Sequence, residues 1–185
     1  KVCDWVLRLQ NPNGSFRTSV RSTQIMSHTH SYAVEGLLYA AYVLNDDRYL
    51  AAARKGGEWL AKKQNKNGSL NIGYNRSVFK LRRRVIELIR PKYIADATSQ
   101  AIRIWLLLDR MDKENNYSEN CQRAAHFLEQ MQVVDSTDTN AEGGIQYCPR
   151  HPIMYAWVNM FAHQALSWLT IDSEKPVEKM VASLF

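Results

Sequence analysis

Little in this sequence breaks or cross-links a chain: 185 residues hold 8 Gly, 5 Pro and 3 Cys. Cys3, Cys121 and Cys148 are odd in number, scattered and without a CxxC pair. That excludes a disulfide framework and a structural zinc site, and fits a reducing, cytoplasmic compartment. No run approaches the roughly 20 apolar residues that a membrane-spanning helix requires. Period-two strand signals are nearly missing. The only close pair of metal-binding types, His28 and His30, has a two-residue spacing that matches no strong ligand signature, so neither a metal nor a cofactor is expected. With 45% hydrophobic and 23% charged residues, the disordered and collagen-like classes drop out as well. One globular domain over 1–185 remains. Lys1 leads into Val2-Cys3-Asp4-Trp5, which reads as mid-helix, so the expectation is the C-terminal part of a longer protein.

What is present is a repeat. Gln10-Asn11-Pro12-Asn13-Gly14-Ser15-Phe16 returns as Gln64-Asn65-Lys66-Asn67-Gly68-Ser69-Leu70, each time closing a helical stretch. A third copy runs from Gln132 to Gly143-Gly144-Ile145, with an insertion rich in Asp, Ser, Thr and Asn. At an offset of 68, Tyr49 pairs with Tyr117, Trp59 with Phe127, Leu60 with Leu128 and Gln64 with Gln132. Residues 48–63 carry Tyr49, Ala53 and Leu60 on one face and charges on the rest, which predicts an outer helix. Residues 31–44 are apolar nearly all round and must be covered on most sides, so that helix lies inside. An inner helix near 97–111, an outer one near 117–131 and a last inner one near 154–170 repeat the pattern, with Asp47 expected as an N-cap. Inner and outer helices that alternate in this way predict an all-α fold, an α/α toroid in which each hairpin is one stave.

The Gln-x-x-x-Gly-Ser-Phe phrase, then His28-Thr29-His30-Ser31-Tyr32-Ala33-Val34-Glu35-Gly36-Leu37-Leu38, then Asn45-Asp46-Asp47-Arg48-Tyr49-Leu50, resembles the six-hairpin glycosidase-like α/α toroids, in particular bacterial members associated with polysaccharides. The terpenoid cyclase toroids share the loop phrase more distantly. Their acidic Asp-x-Asp-Asp motif is missing: Asp96-Ala97-Thr98 keeps one acid of it, and Phe16 and Leu70 stand where those proteins carry Trp. A full ring of this kind has about twelve helices, so the resemblance implies that this chain is about three hairpins of it, with apolar flanks that self-association or further N-terminal hairpins would cover.

In such a ring the N-terminal ends of the inner helices share one mouth, where helix dipoles favour anionic or hydroxylated ligands. Polar residues collect there. His28, His30, Tyr32 and Glu35 open the first inner helix, Asp96, Gln100 and Arg103 the second, and Tyr155, Trp157 and Asn159 the third, with His151 just before it. Rings beside carboxylates and amides suit a sugar. Glu35 or Asp96 could act as acid or base with His28 or His30, while Tyr32, Gln100, Arg103, Tyr155, Trp157 and Asn159 hold substrate. Asp96 is equally readable as a helix cap, Glu35 and Arg103 as a buried ion pair, and Trp157 as core. Residues 80–92 carry six positive charges against one negative, which could steer an acidic glycan or simply solvate a helix face. No nucleic-acid-binding motif accompanies that charge. The expected function is binding or processing of an acidic saccharide by acid/base hydrolysis, lyase or epimerase chemistry. The alternatives are a non-catalytic helical scaffold that binds a glycan or protein, and a cyclase-type domain.

Overall fold

The computed structural model describes residues 1–74, 92–112, 116–149, 153–170 and 174–184. The basic stretch, apart from Lys92, and His151 lie outside them. Seven helices are present among the described residues: α1 (Val2–Leu7), α2 (Ser27–Leu44), α3 (Asp47–Lys63), α4 (Ala95–Met111), α5 (Ser118–Gln130), α6 (Ala156–Leu169) and α7 (Val177–Ala182). Two small antiparallel ladders accompany them: β1 (Ile25–Met26) with β3 (Gly73–Tyr74), and β2 (Leu70–Asn71) with β4 (Tyr93–Ile94). α2, α4 and α6 pack side by side as inner staves, while α3 lies across α2 and α4 and α5 across α4 and α6. The result is an arc of three outer/inner pairs, α1–α2, α3–α4 and α5–α6.

Burial follows from that placement. α4, the middle stave, is buried at every position from Ala95 to Trp105. On the outer helices only the repeat-paired face is covered, with Tyr49, Trp59 and Leu60 of α3, Phe127 and Leu128 of α5 and Tyr117 at the α5 N-cap all 6% exposed or less. Two glycines in the middle of α3 cost roughly 1 kcal/mol each in helix propensity. They give close approach in return: a Cβ on Gly56 would overlap Val34 of α2, and one on Gly57 would overlap Leu108 of α4. α2 and α4 begin earlier than the periodicity suggests, because β1 and β4 run straight into them and the first N–H of each finds a main-chain carbonyl, Ile72 for Ser27 and Tyr147 for Ala95, instead of a capping side chain. The N-cap of α3 is Asp46, one residue before the expected Asp47, since Asn45 takes the left-handed conformation (φ 50°) that ends α2 and leaves the Asp46 carboxylate free to accept the Arg48 N–H.

The repeated loop is a joint. In the first copy the Gln10 side-chain amide donates to the carbonyl of Gly14 (3.1 Å) and to that of Ala52 on α3 (2.7 Å). In the second, Gln64 donates to Gly68 (3.1 Å) and to Asn120 on α5 (2.9 Å). Gly14 and Gly68 have φ of 89° and 84°, and a Cβ on either would overlap a helical carbonyl, that of Lys55 or Arg123. Each loop therefore seats on the next outer helix. It also holds the next inner helix: the Phe16, Leu70 and Ile145 N–H groups donate to His30 Nδ1 (3.0 Å), Thr98 Oγ1 (3.0 Å) and Asn159 Oδ1 (2.7 Å).

Alanine at Gly14 or Gly68 should therefore cost about 2 to 4 kcal/mol, left-handed strain plus overlap with a main chain that cannot yield. Alanine at Gly143 (φ 78°), whose surroundings are open, should cost only about 1 kcal/mol of strain. Urea denaturation of the three variants checks this, and equal losses at all three would contradict it.

Candidate functional site

The three N–H acceptors align the inner helices. Taking His30, Thr98 and Asn159 as one level, the residues two before them are His28, Asp96 and Trp157, those two after are Tyr32, Gln100 and Phe161, and those five after are Glu35, Arg103 and Gln164. Three layers result, stacked from the mouth inward.

The deepest layer is closed. Arg103 Nη2 lies 3.3 Å from Glu35 Oε1, with side chains 1% and 0% exposed. Gln100 Nε2 donates to Glu35 Oε2 (3.2 Å), and Arg103 donates to the Leu184 carbonyl (3.0 Å) while facing the rings of Phe161 and Trp168. The cover is the segment around α7, which packs on α2 and α4, and Gln164 donates to the Ser183 carbonyl (2.6 Å). Burial pushes the Glu35 carboxyl up to about 7 against the pull of Arg103, and lowers the Arg103 guanidinium from its ordinary value. Arg103 Nε and Nη1 find no hydrogen-bond acceptor among the described residues. Of the two readings of Glu35 and Arg103, the geometry has the ion pair.

The outer layers are partly exposed. Tyr32 is 43% and Trp157 46% exposed, so Trp157 is not core. Trp157 stacks on Tyr155 (centroids 4.2 Å apart, 14° between planes), and Tyr155 meets Tyr147 edge-on at 5.4 Å. Tyr32 touches Phe161 of α6 and His28 of its own helix, both at 6.1 Å and both edge-on. Asp96, 5% exposed, accepts the Ala97 N–H (2.7 Å) and lies within electrostatic reach of His28 and Tyr32. Burial raises its carboxyl above the ordinary value, with the Ala97 hydrogen bond and His28 opposing. His28, Tyr32 and Asp96 thus form one group, and Tyr155 and Trp157 stand at the head of the neighbouring stave α6.

Two named residues are occupied elsewhere. His30 is fully buried, with Nδ1 taken by Phe16 and Nε2 donating to the Gly56 carbonyl (3.1 Å), and burial lowers its pKa to about 4. Asn159 spends its amide on Ile145 and Tyr155. Both serve the joint, and neither has a free polar atom for a ligand. Sequence reasoning missed Phe161 and Tyr147. Phe161 was reachable, because the third copy fixes an offset of 61 between α4 and α6 and places Phe161 on Gln100; Tyr147 reaches Tyr155 only through a loop, where its carbonyl accepts the Ala95 N–H (2.9 Å). Among the described residues no group of three His, Cys, Asp or Glu could hold a metal ion, and no helix is long and apolar enough to cross a membrane.

Glu35 and His30 pull stability in opposite directions with pH. A carboxyl raised on folding contributes stability below about 4.5 that is lost as pH rises toward 7; an imidazole lowered on folding contributes stability above about 6.5 that is lost as pH falls toward 4. Between pH 5 and 7 they largely cancel. Glu35→Gln should unmask His30, making the variant less stable at pH 5 than at pH 7 by about 2 kcal/mol, against a nearly flat wild type. Urea midpoints at the two pH values measure this, and a flat profile for the variant would remove the buried neutral His30 from the account.

No protein-family model matches this sequence, and no curated protein matches it. Solved structures do match in fold. One is unsaturated glucuronyl hydrolase from Bacillus sp. GL1, described as responsible for the degradation of glycosaminoglycan (TM-score 0.62, 11% identity, 91% of this chain and 50% of that chain). Another is a UGL variant with dGlcA-Glc-Rha-Glc (TM-score 0.63, 12% identity, the same coverage). The chain spans about half the length of these structures, and at such identity the likeness speaks for fold alone: three hairpins of an all-α, α/α-toroid architecture.

Proposed function

We propose that the rim formed by His28, Tyr32, Asp96, Tyr155 and Trp157 binds an acidic saccharide, and that the domain processes it by acid/base chemistry. The observation that carries this reading is the outermost layer, where an exposed indole on a stacked tyrosine stands level with a carboxyl whose pKa burial has raised. Sugar faces are flat and apolar and stack on rings such as Trp157 and Tyr32, while their hydroxyls take paired hydrogen bonds. A carboxyl that keeps its proton longer than usual is suited to donate it to a leaving oxygen or to take one from a sugar carbon, so Asp96 is assigned as acid or base. His28 relays the proton. Glu35, Gln100 and Arg103 form the buried layer beneath. The fold neighbours are named for work on glucuronyl sugars and glycosaminoglycan, which supports an acidic substrate, as does the basic stretch 80–92. In hydrolysis Asp96 would protonate the leaving glycosidic oxygen while water attacks the sugar carbon; in elimination or epimerisation its carboxylate would take a proton from a sugar carbon, a β-leaving group then departing in the first and the proton returning to the other face in the second.

The test is calorimetric titration with uronate-containing oligosaccharides, saturated and unsaturated, followed by product analysis. Trp157→Ala should weaken binding by about 1 to 3 kcal/mol, the burial energy of a large ring, with little loss of fold stability because the side chain is half exposed. Asp96→Asn should bind but not turn over. Binding unaffected by Asp96→Asn, with no turnover by the wild type, selects the non-catalytic scaffold. No binding by any uronate oligomer ends the proposal.

A further inference from the structure

The deepest layer holds more donors than its cover has acceptors for. Arg103 is 1% exposed; its Nη2 reaches Glu35 and the Leu184 carbonyl, while Nε and Nη1 find no acceptor among the described residues. Gln100 Oε1, fully buried beside it, receives no hydrogen bond among those residues either. A permanent core leaves few such groups unpaired, because each gives up its hydration and gains nothing in exchange.

The cover is made differently from the staves beneath it. α7 is six residues long and its N-cap, Pro176, supplies no side-chain bond. Met180, Val181 and Leu184 are buried under the segment, while Glu178, Lys179 and Ala182 face outward. Its polar fastenings all end on main-chain carbonyls: Arg110 donates to Lys175 (3.0 Å), Gln164 to Ser183 (2.6 Å) and Arg103 to Leu184 (3.0 Å). Any short stretch of backbone offers such oxygens, so the staves hold the segment without reading its polar side chains. Arg103, the strongest donor of the layer, is left with one neutral oxygen from above.

We propose that Arg103, with Gln100 and Glu35 beside it, is a binding site for the carboxylate of an acidic saccharide, and that residues 174–184 are a displaceable strap whose Leu184 carbonyl holds the place of a carboxylate oxygen. This site rests on the saccharide reading above and gives the sugar's acid its partner. A carboxylate brings two charged oxygens where the strap brings one neutral one, so it satisfies Nη2 and an idle donor together. Arg103 overlies the Phe161 ring at 4.8 Å, and the same ring meets Tyr32 edge-on at 6.1 Å. A sugar whose carboxylate sits on Arg103 therefore lies along Phe161 toward the half-exposed Tyr32. Burial pushes Glu35 up to about 7, so it takes up a proton readily and yields Arg103 to an incoming anion.

Native-state hydrogen exchange on the whole chain tests the strap. The α7 amides should exchange faster than those of α4 around Arg103, and methyl β-D-glucuronide should speed them further, because a ligand for the open form enlarges its population. Methyl β-D-glucoside, the same sugar without the acid, should not. Gln164→Leu, which removes the donor to the Ser183 carbonyl, should raise affinity for the glucuronide about threefold, in keeping with one neutral hydrogen bond. Met180→Ser with Val181→Ser should raise it about tenfold or more, since two buried apolar anchors are lost. Glu35→Gln with Arg103→Gln, which replaces the ion pair by two amides, should abolish the preference for glucuronide over glucoside. Where the serine pair unfolds the chain, Gln164→Leu and the wild-type exchange decide. Exchange of α7 only through global unfolding, equal gains for both sugars on loosening, or a preference that survives the double glutamine variant would overturn the proposal. If that preference survives while Trp157→Ala still weakens binding, this site falls and the saccharide reading stands; no binding of either sugar to any form removes both.

Discussion

Everything in this arc hangs on a loop that borrows the spare lone pair of a helical carbonyl. The Ala52 and Asn120 carbonyls sit inside helices, where each already has an intrahelical donor in reach; the glutamine amide takes the second acceptor site of each. The glycine four residues on lies flat against the same helix only because it has no Cβ and tolerates a positive φ. The next residue but one turns its N–H to the head of the following stave. Outer helix, loop and inner helix of successive hairpins are thus fixed by hydrogen bonds that depend little on apolar packing. This explains how staves with heads as different as His30, Thr98 and Asn159 stand at one height.

That common height organises the interior. Charge that would be costly alone is tolerated in the deepest layer because Glu35, Gln100 and Arg103 come from two staves held in register, so that the pair can meet. Nearer the helix heads the same register sets Tyr32, Asp96 and Trp157, from three staves, at neighbouring levels. The segment around α7 packs on α2 and α4 and covers the deepest layer.

The repeat, the inner and outer roles and the all-α architecture were legible in the sequence, because each rests on a period that survives in composition. Tyr49 and Tyr117, or Trp59 and Phe127, announce a shared environment before any coordinate is seen. The places of the polar residues at the helix heads were legible, and their exposure was not. Glu35 and Asp96 look alike at the start of apolar helices, and only the neighbours decide that one is fully buried against Arg103 and the other keeps 5% of its surface exposed near His28. His30 and Asn159 looked like ligands because they are polar at helix heads; that polarity serves a backbone N–H fourteen residues earlier in each case. The chain's return across the inner face from 174 to 184 carries no periodic signal at all.

The third joint closes with the same 3.1 Å bond as the first, although its glutamine and glycine are eleven residues apart and those of the first are four. What the joint measures is therefore the meeting of two ends and not the length of chain between them. Residues inserted there, such as the polar run from Asp135 to Asn140, add bulk and chemistry to the loop without moving a stave. A lineage built on this frame can lengthen one loop at a time while the staves stay where they are.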